Sequence, residues 1–322
     1  MKILRSFDLF CILLCTVFLS GCTEVRDRAY ISSLAVHNEE DCLGTLRDSD
    51  NETAFAAKAD TPVLLLDALQ IETQKVLYTG HLSLIMLSGD IITVLQDYLS
   101  GQWLAPSCRV LYTTENAALL LAQRNTDYAS QLQAAIQVGA LPLRDAAVIA
   151  GDLECGTGLT AVPCLQGDTL CLSLWDSQQQ IAMLSEAACR GLALMGDHWK
   201  TFRFAAKGAD GKPYAVSVLR SSTEISCSQG ENTLQIQLKL HAACKPESYE
   251  HKAWQTAAEQ TLNAFLTAAM QETAAQGADL CCLIERIARD GCAPYTSPTQ
   301  AQWQELLRTA DYSVSVSVEE QK

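Results

Sequence analysis

Residues 233–244 read TLQIQLKLHAAC, with Leu234, Ile236, Leu238 and Leu240 alternating with Gln235, Gln237, Lys239 and His241. Successive side chains of a strand point to opposite faces, so an apolar residue at every second position predicts a strand with one dry and one wet face. The stretches before it continue the theme: TFRFAAK (201–207), a turn at GADGK (208–212) and YAVSVLRSSTEISC (214–227). Long antiparallel strands are therefore expected from 200 to 241. Two amphipathic helices are expected beyond them, over 247–274 and 278–290. Trp303 then falls in a helix, and DYSVSVSVE (311–319) reads as a closing strand.

The first half is patterned differently. AYISSLAV (29–36) predicts a first strand, and the acidic, turn-rich segment 37–53 a loop or hairpin. In DTPVLLLDALQIETQ (60–74), Asp60 or Thr61 can cap a helix, Pro62 suits its first turn, and Leu65, Leu66 and Leu69 share a face. LYTGHLSLIMLSGD (77–90) predicts a strand entered through Gly80. IITVLQDYLSG (91–101) follows as a helix stopped by Gly101. CRVLYTT predicts a strand and ENAALLLAQ a helix, with helical stretches near 127–137 and 143–150. The glycine- and proline-bearing ECGTGLTAVPCLQGD (154–168) marks the expected division. TLCLSLWDSQQQIAMLS (169–185) then gives strand, turn and strand, and Ser185 caps a helix. The expected fold is α+β, of two or more domains with mixed sheets and helices. Its divisions are a leader at 1–21, an N-terminal α/β domain at 22–165 and a C-terminal α+β domain at 166–322.

The chain opens with a positive head (Lys2, Arg5) and the apolar run LFCILLCTVFL (9–19). That run is shorter than the roughly 20 residues of a spanning helix and has the length of a signal-peptide core. Leu19, Ser20 and Gly21 precede Cys22 in the form of a bacterial lipobox. In that motif the cysteine is acylated and the residues before it are removed. One acyl chain binds a membrane marginally, whereas the two of a diacylglyceryl cysteine hold stably. Cys22 is thus the expected lipidation site, carrying fatty acyl groups such as palmitate. The competing readings are an uncleaved anchor helix and an ordinary secretory signal.

The 322 residues carry a formal charge of −14. The leader's Lys2, Arg5 and Asp8 hold a net +1, so the mature part has about −15. Such a surface repels nucleic acid and anionic headgroups. No nucleic-acid partner is expected, and membrane contact falls to the lipid. Of 14 cysteines, Cys11 and Cys15 leave with the leader and Cys22 is acylated, so eleven remain. An odd number in irregular spacing, often within apolar strings such as DLCCLIER (279–286), predicts mostly reduced core thiols; a few disulfides stay open. No CxxC pair occurs, and no metal or other cofactor is expected.

Motifs for catalysis are missing: no GxSxG, HExxH, GxGxxG or P-loop occurs. The five histidines are scattered. His241 and Cys244 fall at a strand end, and His81 reads as a turn histidine. No catalytic residue is assigned, and the chain is expected not to be an enzyme.

RDRAYISSLAV (26–36) and ALQIETQKVLYTGHLSLIMLSGD (68–90), following the lipobox, resemble the C subunit of spore germinant receptors, the Ger(x)C spore germination lipoproteins. The shared positions here are Ala68, Leu69, Tyr78, His81 and Leu82. LCLSLWDSQQQIAMLSEAACRGLALMGD (170–197) resembles a later segment of that family through Arg190, Gly191 and Leu192, and the ending does so through Trp303 and DYSVSVSVEE. The chain departs from the family at Thr23 and Glu24, where Trp-Asp is usual. It departs again at Leu280, Cys281 and Cys282, where an aromatic and a glycine are usual. The resemblance implies a mixed α+β, non-enzymatic protein of a sporulating bacterium, lipid-anchored on the outer face of the spore inner membrane. Its partners would be a polytopic A subunit and a transporter-like B subunit, which together trigger germination in response to nutrients. The alternatives are a solute-binding lipoprotein of a nutrient importer, which would need two similar parallel α/β lobes, and a lipid-anchored enzyme.

Overall fold

The computed structural model describes residues 28–48, 53–123, 127–154, 156–196, 198–208, 211–230, 233–247, 254–292 and 298–321. The first sheet begins with β1 (Arg28–Asn38), β2 (Cys42–Asp48) and β3 (Ala54–Ala59), an antiparallel meander. Within the acidic stretch 37–53, β1 and β2 thus meet in a hairpin across 39–41. Helix α1 (Pro62–Thr73) starts as the sequence predicts: the Thr61 hydroxyl accepts from Leu64 N, and proline takes the first turn. A short strand β4 (Val76–Tyr78) and a single 3₁₀ turn (Thr79–His81) lead into β5 (Leu84–Gly89). The one strand expected over 77–90 is split in two, and both halves lie parallel to β1.

Helix α2 (Ile91–Ser100) is capped by the Asp90 carboxylate. Strand β6 (Arg109–Thr113), helices α3 (Ala117–Gln123), α4 (Tyr128–Gln137) and α5 (Ala146–Glu154) follow, then strands β7 (Thr160–Gln166), β8 (Thr169–Trp175) and β9 (Gln180–Leu184). The sheet order is β3-β2-β1-β5-β6-β7-β8-β9, with β4 beside the start of β1. Its centre is parallel and its two margins are antiparallel. β5 and β7 are almost wholly buried, as parallel strands covered by helices on both faces must be. Leu34, Val36, Ile85, Leu87 and Val110 pack with α1, α2 and α5 on one side. Ala35, Leu84, Met86 and Leu111 pack with α3 and α4 on the other.

The segment expected to mark the division holds strand β7. Pro163 cannot donate to a ladder. β6 pairs with β7 only at Tyr112↔Cys164 and Thr113↔Leu165, just past that proline. The expected division at 165/166 falls in the tight β7–β8 hairpin, where Gln166 pairs with Thr169. The first sheet runs on to Leu184, and the second begins at Phe202.

Helix α6 (Glu186–Gly196) leads to the second sheet: β10 (Phe202–Lys207), β11 (Pro213–Gln229), β12 (Leu234–Pro246) and, after three helices, β13 (Asp311–Glu320). The alternation read at 233–244 is realised as strict alternation of buried and exposed residues along β12. Strands β10, β11 and β12 are antiparallel, and β13 lies parallel to β12. The dry face carries Ile236, Leu238 and Leu240 and packs on α7 (Trp254–Gln276), α8 (Leu283–Arg289) and α9 (Gln300–Thr309). The wet face shows Ser317 hydrogen-bonded to His241, 2.7 Å apart. The fold is α+β, with antiparallel strands dominant in the C-terminal half, as the sequence indicates.

The helix expected over 278–290 is shorter, starting at Leu283. Gly277 at φ +73° ends α7, and the chain turns through Ala278–Cys282 before helix resumes. The Asp279 carboxylate accepts from the backbone N–H of Leu283 (2.7 Å), Ile284 (2.9 Å) and Cys281 (3.3 Å). It satisfies the donors that a helix start leaves open.

Candidate functional site

Leu19, Ser20, Gly21 and Cys22 lie outside the described residues, as does Cys155. The features that the described residues offer are a junction between the two sheets and a surface strip at the start of β1.

The junction is built on α6 and α7. Leu192 of α6 packs beneath the first sheet together with Ala269 of α7, while Leu266 and Met270 of α7 face the second sheet. Gly191 makes the crossing close: a Cβ there would lie 2.2 Å from the Phe265 carbonyl oxygen. Arg190 donates to Glu186 (3.0 Å) and to the Arg203 carbonyl (3.0 Å), and its guanidinium lies 5.9 Å from the Phe265 ring centre. At the other end of the crossing, Ser185 donates to Glu272 through its hydroxyl (2.5 Å) and its backbone N–H (2.8 Å). The Arg190-Gly191-Leu192 motif thus ties the two halves together. Trp303, buried in the second core, serves the same half from α9.

Beside this crossing lies a cavity of about 340 Å³, with Leu143, Leu192, Met195, Ile225, Leu280 and Cys281 among its walls. Arg144, Thr223 and His198 add polar groups. Arg144 is buried and already engaged. It donates to the Ala161 carbonyl (3.2 Å), to Thr160 Oγ1 (3.1 Å) and to Asp152, and Thr160 donates in turn to Asp152 (3.0 Å). Burial pushes the Asp152 carboxyl above the ordinary carboxylate value, against the pull of Arg144. Burial also raises Asp279, against its three N–H donors. Cys281 is pushed far up, by burial first and then by Asp279, so its sulfur stays a thiol. The cavity walls therefore offer apolar surface and a cation already neutralised by its partner. Among the described residues, no group of three or more His, Cys, Asp or Glu could hold a metal ion.

All ten described cysteines are free. Burial raises Cys108, Cys189 and Cys244 to about 12, and Cys42 to about 11. Cys164 and Cys171 face each other across β7 and β8, and their mutual hydrogen bond lowers Cys171 and raises Cys164. Exposed Cys282 sits at φ +55°, the left-handed region that favours glycine.

The surface strip was not legible in the sequence as a site. Leu69 and Leu82 of the early motif are core residues, and Ala68 is half-buried. Tyr78 and His81 are exposed instead, and they form an aromatic cluster with Tyr30. The ring centres lie 5.4 Å apart for Tyr30 and Tyr78, 5.7 Å for Tyr30 and His81, and 5.5 Å for Tyr78 and His81. Arg28 stands over the Tyr78 ring at 5.7 Å.

A solved structure, described as the crystal structure of the GerBC protein, superposes with a TM-score of 0.58. The match covers 90% of this chain and 97% of that one, at 13% identity. The fold is that of the GerBC protein. The likeness extends over 90% of the chain, so it takes in residues of both sheets. No family model and no curated protein matches the chain. No helix among the described residues is long and apolar enough to cross a membrane.

Proposed function

We propose that the chain is the C subunit of a spore germinant receptor: a non-enzymatic lipoprotein held by acylated Cys22 on the outer face of the spore inner membrane. It assembles there with the membrane A and B subunits, and the complex triggers germination in response to nutrients. The observation that carries this reading is the GerBC fold over nearly the whole chain. It agrees with the order of motifs in the sequence. The leader and lipobox support the anchor, with cleavage before Cys22 and the two halves of the fold outside the cytoplasm. Assembly suits a tethered domain, because confinement at the membrane raises its effective concentration near partners there.

The C-terminal helices, expected to be amphipathic, would dock on those partners only through an apolar strip left outside the core. Their apolar faces are used internally: Leu262, Leu266 and Ile287 are fully buried on the second sheet. Those apolar faces are therefore not free to meet the A and B subunits. Metabolic labelling with a fatty-acid probe tests the anchor. Label on the native chain and none on Cys22→Ala is expected, and equal label on both would refute it. Deleting the gene is expected to abolish the response to one set of nutrients.

A further inference from the structure

Among the described residues, five of the eleven exposed large apolar side chains come from one stretch: Val63, Leu64, Ile71, Val76 and Tyr78. Three of these join the aromatic cluster in a continuous strip. Ile71 is 75% exposed and Val76 56%, and the two line one shallow groove. Val76 and Tyr78 share the outer face of β4, since Leu77 between them is buried. Across the ladder, Arg28 pairs with Val76 and Tyr30 with Tyr78, while Ala29 is buried, so Arg28 and Tyr30 stand on the same outer face. The strip therefore runs Ile71, Val76, Tyr78, Tyr30, edged by Arg28 and Lys75.

We propose that this strip rests on the surface of the lipid bilayer to which the chain is tethered. The inference depends on acylation of Cys22, the anchor of the function proposed above. Arg28 follows Cys22 by six residues, and six extended residues reach at most about 20 Å. The strip begins at Arg28 itself, so the tether holds it next to the membrane whatever path those residues take. Its composition fits the headgroup boundary. Tyrosine presents a flat apolar body and a polar tip, and an arginine such as Arg28 can lie along apolar surface with its charge in water, while Lys75 is paired with Asp48 at 3.9 Å. Charge does not bring it there, because the chain is strongly acidic and Glu72 lies beside Ile71. Insertion of apolar side chains does, so the contact withstands salt.

The test uses the full lipidated chain in vesicles of equimolar phosphatidylethanolamine and phosphatidylglycerol. A benzophenone amino acid replaces Val76 in one sample and Leu219, 50% exposed on β11, in another. The mass of the N-terminal peptide is read first. A peptide without acyl groups would overturn the anchor and this inference with it. With the acyl groups present, light is expected to give lipid adducts at 76 and to lose them at 219, and added salt is expected to leave the yield at 76 unchanged. Equal adducts at both sites would overturn the orientation while leaving the anchor standing. In spore membranes, adducts at 76 to protein instead of lipid would also overturn it, assigning the strip to a subunit interface.

Discussion

Gly191 on α6 lies against the backbone of Phe265 on α7, so closely that a Cβ on Gly191 would come within 2.2 Å of the Phe265 carbonyl oxygen. Backbone cannot swing aside as a side-chain tip can. Gly191→Ala must spread the two helices that join the sheets, at a cost of about 3 kcal/mol. Gly151 in α5 provides the contrast, since nothing lies within 4 Å of its added Cβ. Gly151→Ala should gain about 0.5–1 kcal/mol from helix propensity alone. Urea unfolding of the two variants should therefore move in opposite directions. A neutral Gly191→Ala would mean that the crossing is looser than described.

Cys282 tests local strain. A non-glycine residue in the left-handed region costs about 1 kcal/mol. Its side chain is exposed, so little packing is lost on truncation. Cys282→Gly should keep or raise the melting temperature, and Cys282→Val should lower it, as thermal unfolding would report.

Two half-buried carboxyls set a pH dependence. Asp152 and Asp279 are both held above the ordinary value of 3.8. The folded state thus binds protons more tightly than the unfolded one. Their contribution is fully present below 3.8 and is lost as pH rises through the folded values. Asp152→Asn should flatten part of that fall in urea midpoints measured from acid to neutral pH, with Asp279 retaining the rest. Arg144→Met should steepen it. That variant leaves a half-buried carboxylate without its cation and should lower stability at neutral pH.

Thiol chemistry follows the same logic. Cys42, Cys108, Cys189 and Cys244 are buried, with thiols raised to about 11 or 12. An alkylating reagent at neutral pH should label Cys282 by exposure and Cys171 by its lowered pKa. The four buried thiols should react only after unfolding. Peptide mapping that found most of them oxidised in the native protein would reverse the reading of a reduced core.

Much of this architecture is local and so was legible. The alternation of β12, the Thr61 cap and proline of α1, and the Ser185 start of α6 each follow from neighbours in sequence. The glycine- and proline-rich run at 154–168 did not read as a strand, yet it holds β7, because Pro163 is tolerated in a strand whose partner β6 engages it only further along. The start of α8 was misplaced because Asp279 organises the turn that precedes it. The membrane-side strip was hidden for another reason. Tyr30 and Tyr78 are distant in sequence, and only the parallel pairing of β1 with β4 sets them on one face.

The most direct test of a germinant receptor C subunit is its company in the spore. An affinity-tagged, lipidated chain should be purified from spore inner membranes in mild detergent and its companions identified by mass. Co-recovery of a polytopic A subunit and a transporter-like B subunit is the expected result, lost or weakened in Cys22→Ala. Recovery of the chain alone, from spores whose germination is unchanged when its gene is deleted, would contradict it.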